Sequence, residues 1–446
     1  TYAHLTLVTL LGSPNELKGL GGLDPKALGP LLSYSKYTEL GAVSPDYPYL
    51  TITGKSAKGW ADAMHYERTG DRLRAGVEYV LRLEGEEKYK ALAWILGFTS
   101  HIITDISIHP VVELKVGPYA ENAKHHRVCE MHQDVFIYQR MNVGEIYCGN
   151  FIHDGIAACS GKNKHTLDPL VQSVWDHMLR TVDNDRYASE PPEFNKWHRR
   201  FRRMISAAGT GKFLPCSRHL LAAKGVEFPK KASDGYIRGL AAPGGRQMDY
   251  EDIFLKAKDN VRHFWGLVCR YCLTDDKPDL SVIRNWDLDT GRDESGTITL
   301  YPVGGMMRRI LLIFLCALQF TACAGLRGMD DEAHNRKAID LRRLGNAVQG
   351  ELWRGADPGR DLLALACSRD PDLCTPFSSF SILVSVVDGN VALLLCDAKQ
   401  TRALIEDIAC TPETDFRAWE AENAPCAFTL DITAACTPGN RAKITY

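Results

Sequence analysis

The chain has 446 residues, more than one hydrophobic core usually serves, so two domains are expected before any motif is read. Its apolar and charged fractions, 45% and 24%, are ordinary for a soluble globular protein. A formal charge of −2 leaves no overall electrostatic footprint for duplex nucleic acid or an anionic membrane surface. The one basic run, Arg199-Arg200-Phe201-Arg202-Arg203, reads as a solvated helix face, because the flanking residues do not extend it.

From Ala57 to Arg140 apolar residues recur every three or four positions, which predicts helices over 60–83, 86–108 and 119–141. Pro110 is expected to stop the second. Further helical windows fall at 168–182, 193–208 and 250–273. No period-two strand run stands out before residue 295, so this part reads as mostly α. Loops rich in Gly and Pro are expected over 12–30, 189–192 and 228–245, the kind of segment in which substrate selection usually resides. The polar, turn-rich stretch 275–305 reads as a tail.

The run from Met306 and Met307 through Arg308-Arg309 and an apolar stretch to Thr321-Ala322-Cys323-Ala324 has the charged start, short apolar middle and small-residue end of a secretory signal. Its ending resembles a bacterial lipoprotein processing site with Cys323 as the lipidated residue. The apolar stretch 310–318 is far short of the ~20 residues that span a bilayer. An internal start of this kind implies two joined gene products: 1–305, a join over 306–323, and a small domain over 324–446. In the last, a helix is predicted over 330–352, strands over 377–387 and 391–396 around the turn Asp388-Gly389-Asn390, and a short helix over 401–408. Cys367, Cys374, Cys396, Cys410, Cys426 and Cys436 suit a disulfide framework in an oxidising compartment, with the pairing left open. Upstream, Cys269-Arg-Tyr-Cys272 reads as a helix-interior pair, since no second pair completes a zinc site.

The densest chemical signal is Gly97-Phe-Thr-Ser-His101-Ile-Ile-Thr-Asp105-Ile-Ser-Ile-His109-Pro110. Each four-residue step turns a helix by only about 40°, so His101, Asp105 and His109 line one narrow stripe. His126 and Glu130 repeat the spacing. The intervening isoleucines place these polar groups in a core-like helix, where an unpartnered imidazole or carboxylate costs several kcal/mol, so a network or a cation is called for. Nitrogen and oxygen donors together suit zinc. His132 lies about 240° round the helix from His126 and cannot join the same site.

These residues, with Leu40-Gly-Ala-Val-Ser-Pro45-Asp46-Tyr-Pro48, Met64-His65-Tyr66 and the stretch from His125-His126-Arg127 to Asp134, resemble the zinc-dependent phospholipase C family. Its fold is shared by fungal single-strand-specific nucleases. The resemblance implies a helical domain, followed here by the small disulfide-containing α+β domain, and a cluster of two or three zinc ions. By that resemblance His65, His101 and Asp105 serve one metal, with Asp105 able to bridge to another. His109, His126 and Glu130 hold a second, and His4 completes a third. Thr1 stands near the start where the family usually has tryptophan. Asp46 is the expected base for the attacking water, or else a further ligand, and Asp134 a hydrogen-bond acceptor behind the ligands.

The expected activity is zinc-dependent phosphodiester hydrolysis of phospholipid at a membrane surface. The join suggests an antibacterial, secreted or delivered enzyme over 1–305. Residues 324–446 would then be its periplasmic, lipid-anchored immunity partner or inhibitor. Two alternatives stand beside this: a single-strand nuclease, with Trp175, Trp197 and Trp265 as candidate stacking platforms, and a non-catalytic, zinc-stabilised binding module.

Overall fold

The computed structural model describes residues 2–49, 55–138, 155, 157–161, 165–209, 229, 231–301, 331–408, 417–418, 424–429 and 432. The signal-like run with Met306, Met307 and Cys323 lies outside them, as do Cys148, Cys216, Cys410 and Cys436. The protein is mostly helical. In chain order come α1 (Tyr2–Leu11), α2 (Pro14–Lys18), α3 (Pro25–Leu32), α4 (Ser35–Val43), α5 (Lys55–Tyr66), α6 (Thr69–Val80), α7 (Gly85–Val116) and α8 (Tyr119–Tyr138). After them follow α9 (Pro169–Val182), α10 (Asn184–Ser189), α11 (Phe194–Gly209), α12 (Asp234–Ile237) and α13 (Tyr250–Leu273).

The 32-residue α7 is the axis. It is long and apolar enough to cross a membrane, but its most apolar window is entirely buried, which makes it a core helix. It packs against α1, α4, α6, α8 and α13. Where α4 crosses it, Gly41 and Gly97 bring backbone onto backbone: a Cβ on Gly97 would lie 2.0 Å from the Thr38 carbonyl, and one on Gly41 2.1 Å from that of Trp94. Only glycine permits that approach.

Several expected boundaries move. Pro110 does not stop α7, which runs on to Val116 and ends at Gly117 with φ 89°. Proline removes one hydrogen bond to the Ile106 carbonyl, and the loop at Gly291 lies over both Pro110 and that carbonyl. The single helix expected over 60–83 is two, α5 and α6, broken at Arg68 with φ 48°. The break leaves the His65 carbonyl free to accept Leu288 N at 2.9 Å. The presumed loop 12–30 contains α2 and α3, the latter begun by Pro25 and capped by Asp24, which accepts Lys26 N. A small antiparallel hairpin, β1 (Leu240–Ala242) and β2 (Arg246–Met248), does occur before residue 295, turning at Gly244 and Gly245, both with positive φ.

From residue 331 on, α14 (Asp331–Trp353) and α15 (Leu362–Arg369) accompany a four-stranded antiparallel sheet in the order β3 (Ser381–Val387), β4 (Asn390–Cys396), β5 (Ala403–Ile408) and β6 (Arg417–Ala418). The β3–β4 hairpin turns at Asp388-Gly389, both with positive φ, the two-residue turn whose twist matches its strands. The helix expected over 401–408 is instead strand β5. β4 is buried along its whole length, so its second row of peptide groups needs a ladder partner, and β5 supplies it from Ile408 to Ala403. Disulfides join Cys367 to Cys374 and Cys396 to Cys426. Cys269 and Cys272 are buried free thiols inside α13.

Candidate metal centre

α7 carries His101, Asp105 and His109 on one stripe, and α8 brings His126 and Glu130 opposite. α1 contributes His4, α5 contributes His65 near its end, and the 3-10 turn after α4, Ser44–Asp46, contributes Asp46. The structure brings all eight together in one cleft of about 310 Å3. Three groups have ligand atoms mutually within 4.8 Å: His4, His101 and Asp105; Asp46, His65 and His101; and His109, His126 and Glu130. The last is the trio expected. The others divide differently from expectation: Asp46 shares the point between His65 and His101, with Oδ1 3.4 Å and 4.0 Å from their Nε2 atoms. Asp105 lies between the remaining histidines, with Oδ1 2.8 Å from His4 Nε2 and 3.3 Å from His109 Nε2, and Oδ2 3.1 Å from His101 Nε2.

The outward sides of three imidazoles are fixed by backbone. His65 Nδ1 meets the Ala61 carbonyl at 2.8 Å, His101 Nδ1 that of Ala42 at 2.9 Å, and His109 Nδ1 that of Leu288 at 3.1 Å. A carbonyl only accepts, so each Nδ1 carries a proton and each Nε2 faces the cleft. His65 and His101 bring their Nε2 atoms to 3.2 Å. Two nitrogens that close need either a proton or a cation between them. The walls reinforce this: Asp46, Asp105, Glu130, Asp134 and Asp289 line the cleft, with Arg127 the one arginine or lysine lining it among the described residues. The donor set therefore fits zinc, borderline-soft and content with imidazole and carboxylate.

Among the protein groups themselves, these charges already bias one another. Burial resists ionisation of Asp105, but His109, His101 and His4 hold it well below the usual carboxylate range. Burial likewise opposes charge on Asp46 and Glu130; His101 and His65 pull the first down, and His109 and His126 hold the second at about 2. Burial lowers His4 to about 4 despite the pull of Asp105. His109 is raised well above the ordinary value by Asp105, Asp289 and Glu130, which outweigh its burial.

Asp134 does not join the ligand groups. Its carboxylate accepts Ala3 N at 2.7 Å and Tyr2 N at 3.4 Å, tying the amino end of α1 to α8 and so placing His4. Asp289, absent from the sequence reading, lies 3.6 Å from His109 Nδ1 and accepts the Tyr66 hydroxyl at 2.9 Å. The stretch 275–301 is thus part of the cleft rather than a tail. Trp175, Trp197 and Trp265 are 0%, 1% and 2% exposed, so none can stack a nucleobase; Trp265 spends its indole N–H on the Leu96 carbonyl and Ser100. The aromatic walls are Tyr2, Tyr49, Tyr66 and Tyr119. His132 accepts Ser233 N, and His198 bonds Ser160, both away from the cleft.

A helical bundle whose central helix faces a cleft of histidines and carboxylates is the architecture of a metal-dependent hydrolase. Residues 3–185 match the family model described as zinc dependent phospholipase C. The matched residues hold every candidate ligand. No curated protein and no solved structure matches the chain.

Proposed function

We propose that the protein is a zinc-dependent phosphodiesterase of phospholipase C type, acting on phospholipid. The observation that carries the reading is the pair of carbonyl-fixed imidazoles, His65 and His101, with Nε2 atoms 3.2 Å apart and Asp46 and Asp105 converging on them. Zinc held there would acidify a water and offset the charge of a phosphodiester and its leaving oxygen. Asp105 would orient ligands of neighbouring positions at once, since its two oxygens face three histidines. Asp46, with one-quarter of its side chain exposed, reaches both the ligands and the open cleft. It is the residue placed to take a proton from the attacking water and steer its approach. Its carboxylate is not spent on a local turn: Tyr49 N bonds the Asp46 backbone carbonyl instead.

Two features favour lipid over single-stranded nucleic acid. The three tryptophans that could have stacked bases are buried, whereas Tyr119, which lines the cleft, is 42% exposed. Acidic walls with a lone arginine also suit a zwitterionic headgroup better than a polyanion. The test is to incubate the zinc-loaded full chain with zwitterionic phospholipid vesicles and with single-stranded DNA in parallel. Release of diacylglycerol with intact DNA is expected; DNA cleavage without diacylglycerol would overturn the assignment. Zinc retention without hydrolysis of either substrate would favour a binding module. The antibacterial pairing with a lipid-anchored guard is carried by the sequence of 306–323 and is tested by bacterial periplasmic expression of 1–305 with and without 324–446: toxicity relieved by the second segment is expected, and equal toxicity would overturn it.

A further inference from the structure

The second segment packs on the first through a face that is not the cleft. α14 lies across α3 at Gly29 and Gly350, where a Cβ on either glycine would meet the other's backbone or close neighbours at 2.7–3.0 Å. Around this crossing, charges pair across the two segments with opposite signs. Arg343 grips Glu39 at 2.5 Å with both side chains at most one-tenth exposed. Asp370 takes Lys36 at 2.5 Å, and Arg354 and Arg369 converge on Glu86 at 2.6 Å and 3.1 Å. Gly155 roofs the Arg343–Glu39 pair: a Cβ there would fall 2.6 Å from one guanidinium nitrogen and 2.7 Å from a carboxylate oxygen. Lys18 adds a hydrogen bond to Asn390. A single cluster of buried apolar residues runs through both segments, from Leu28, Leu31 and Leu32 to Ile339, Ala347 and Trp353.

The contacts run along α7 from Glu86, fifteen positions and about 22 Å of helix from His101, to a cavity shared by Arg343, Glu39 and Leu96. No residue of 331–408 lines the metal cleft among the described residues.

We infer that residues 331–408 form a partner module that holds the helical unit by its own non-covalent interface, and that it docks beside the enzyme instead of plugging the cleft. The covalent join is then dispensable for association. The two secluded ion pairs, Arg343–Glu39 and Lys36–Asp370, give such an interface its specificity, because breaking one leaves a desolvated charge without its mate. The sequence agrees: a signal-like start stands between the two units, as it would between two proteins made to meet after synthesis.

The experiment uses the full chain with a site-specific protease sequence inserted between residues 305 and 324. After cleavage, the two pieces are expected to co-elute as a 1:1 complex in low salt. Arg343→Glu should weaken the cleaved complex at least about thirtyfold, and Glu39→Arg combined with Arg343→Glu should restore co-elution. Circular dichroism and zinc content of the uncleaved variants separate loss of docking from loss of folding. Separation of the wild-type pieces on cleavage would overturn the inference. So would an Arg343→Glu variant that folds and co-elutes like wild type. A chelator that strips zinc much faster from the parted helical piece than from the complex would overturn the open-cleft placement. Co-elution needs neither zinc nor substrate, so failure of the phospholipase reading leaves it intact.

Discussion

Replacing Gly97 by alanine should damage the metal site without touching a ligand. The added methyl would sit 2.0 Å from the Thr38 carbonyl oxygen, 2.8 Å from Ala42 N and 2.8 Å from Gly41 Cα. All three neighbours are backbone, so no side chain can swing aside. To reach a contact of about 3.4 Å the helices must part by roughly 1.4 Å, a displacement a close-packed core resists. Overpacking of this kind costs about 1–3 kcal/mol, against which alanine recovers about 1 kcal/mol of helix propensity. The larger effect is geometric. α4 supplies the Ala42 carbonyl that fixes His101 at 2.9 Å and leads directly into Asp46, so parting the helices loosens both from one metal position. Urea denaturation of the zinc-free protein should show a net loss of up to about 2 kcal/mol, and zinc content after dialysis should fall. Gly59→Ala in α5, where nothing lies within 4 Å of the new methyl, is the control and should stabilise by up to about 1 kcal/mol. A Gly97→Ala protein as stable and as rich in zinc as wild type would refute the argument that close helix approach sets the site.

Asp46→Asn keeps the shape but removes the base; turnover on phospholipid should fall by about a hundredfold or more, whereas unchanged turnover would remove Asp46 from the mechanism. Asp134→Ala releases the amino end of α1 and should lower zinc stoichiometry through His4 while leaving the His109, His126 and Glu130 group loaded; full zinc content by elemental analysis would contradict this. Zinc at a hundred times its dissociation constant should stabilise the protein by about 2.7 kcal/mol per site, read as the difference between calorimetric scans with and without chelator. His198 is fully buried, and burial, with Arg202 nearby, lowers its pKa to about 4. Because its folded value lies below the unfolded one, the unfolded chain takes the proton first. The contribution of His198 to stability is therefore complete above about pH 6.5 and is lost as the pH falls towards 4, by about 3 kcal/mol in all. In zinc-free protein His198→Gln should flatten that part of the stability curve, and a wild-type and variant difference that is the same at pH 7 and pH 4.5 would rule the mechanism out.

What the sequence made legible is what repeats locally. His101, Asp105 and His109 declare themselves because a four-residue step on an apolar helix has few structural explanations, and His126 with Glu130 does the same on α8. α13 was found at its full length, and so was the turn at Asp388-Gly389, because those patterns are complete within a few residues. Pro110 misled, since the rule that proline ends a helix weighs one lost hydrogen bond but not the burial around it. Residues 401–408 misled for the related reason that β4, already buried, needed a ladder partner that local propensity cannot see. Asp289 had no signal at all. It stands in an irregular stretch 180 positions after His109, and the Leu288 N bond to the His65 carbonyl, the His109 Nδ1 bond to the Leu288 carbonyl and the Tyr66 hydroxyl bring it in.

The division of the ligands was the other thing that spacing alone could not reach. A stripe on one helix orders its members along an axis, but it does not say which pair shares a cation. That is decided by the elements meeting it from outside. The turn after α4 puts Asp46 against His65 and His101, and α1, held by Asp134, puts His4 against Asp105. Asp105 is thereby left between positions, one oxygen towards His4 and His109 and the other towards His101. A carboxylate so placed couples the positions: whatever shifts α1 or α4 is felt through it at more than one of them. The trio of His109, His126 and Glu130, expected from the family resemblance, draws on α7 and α8 alone, two helices adjacent in sequence.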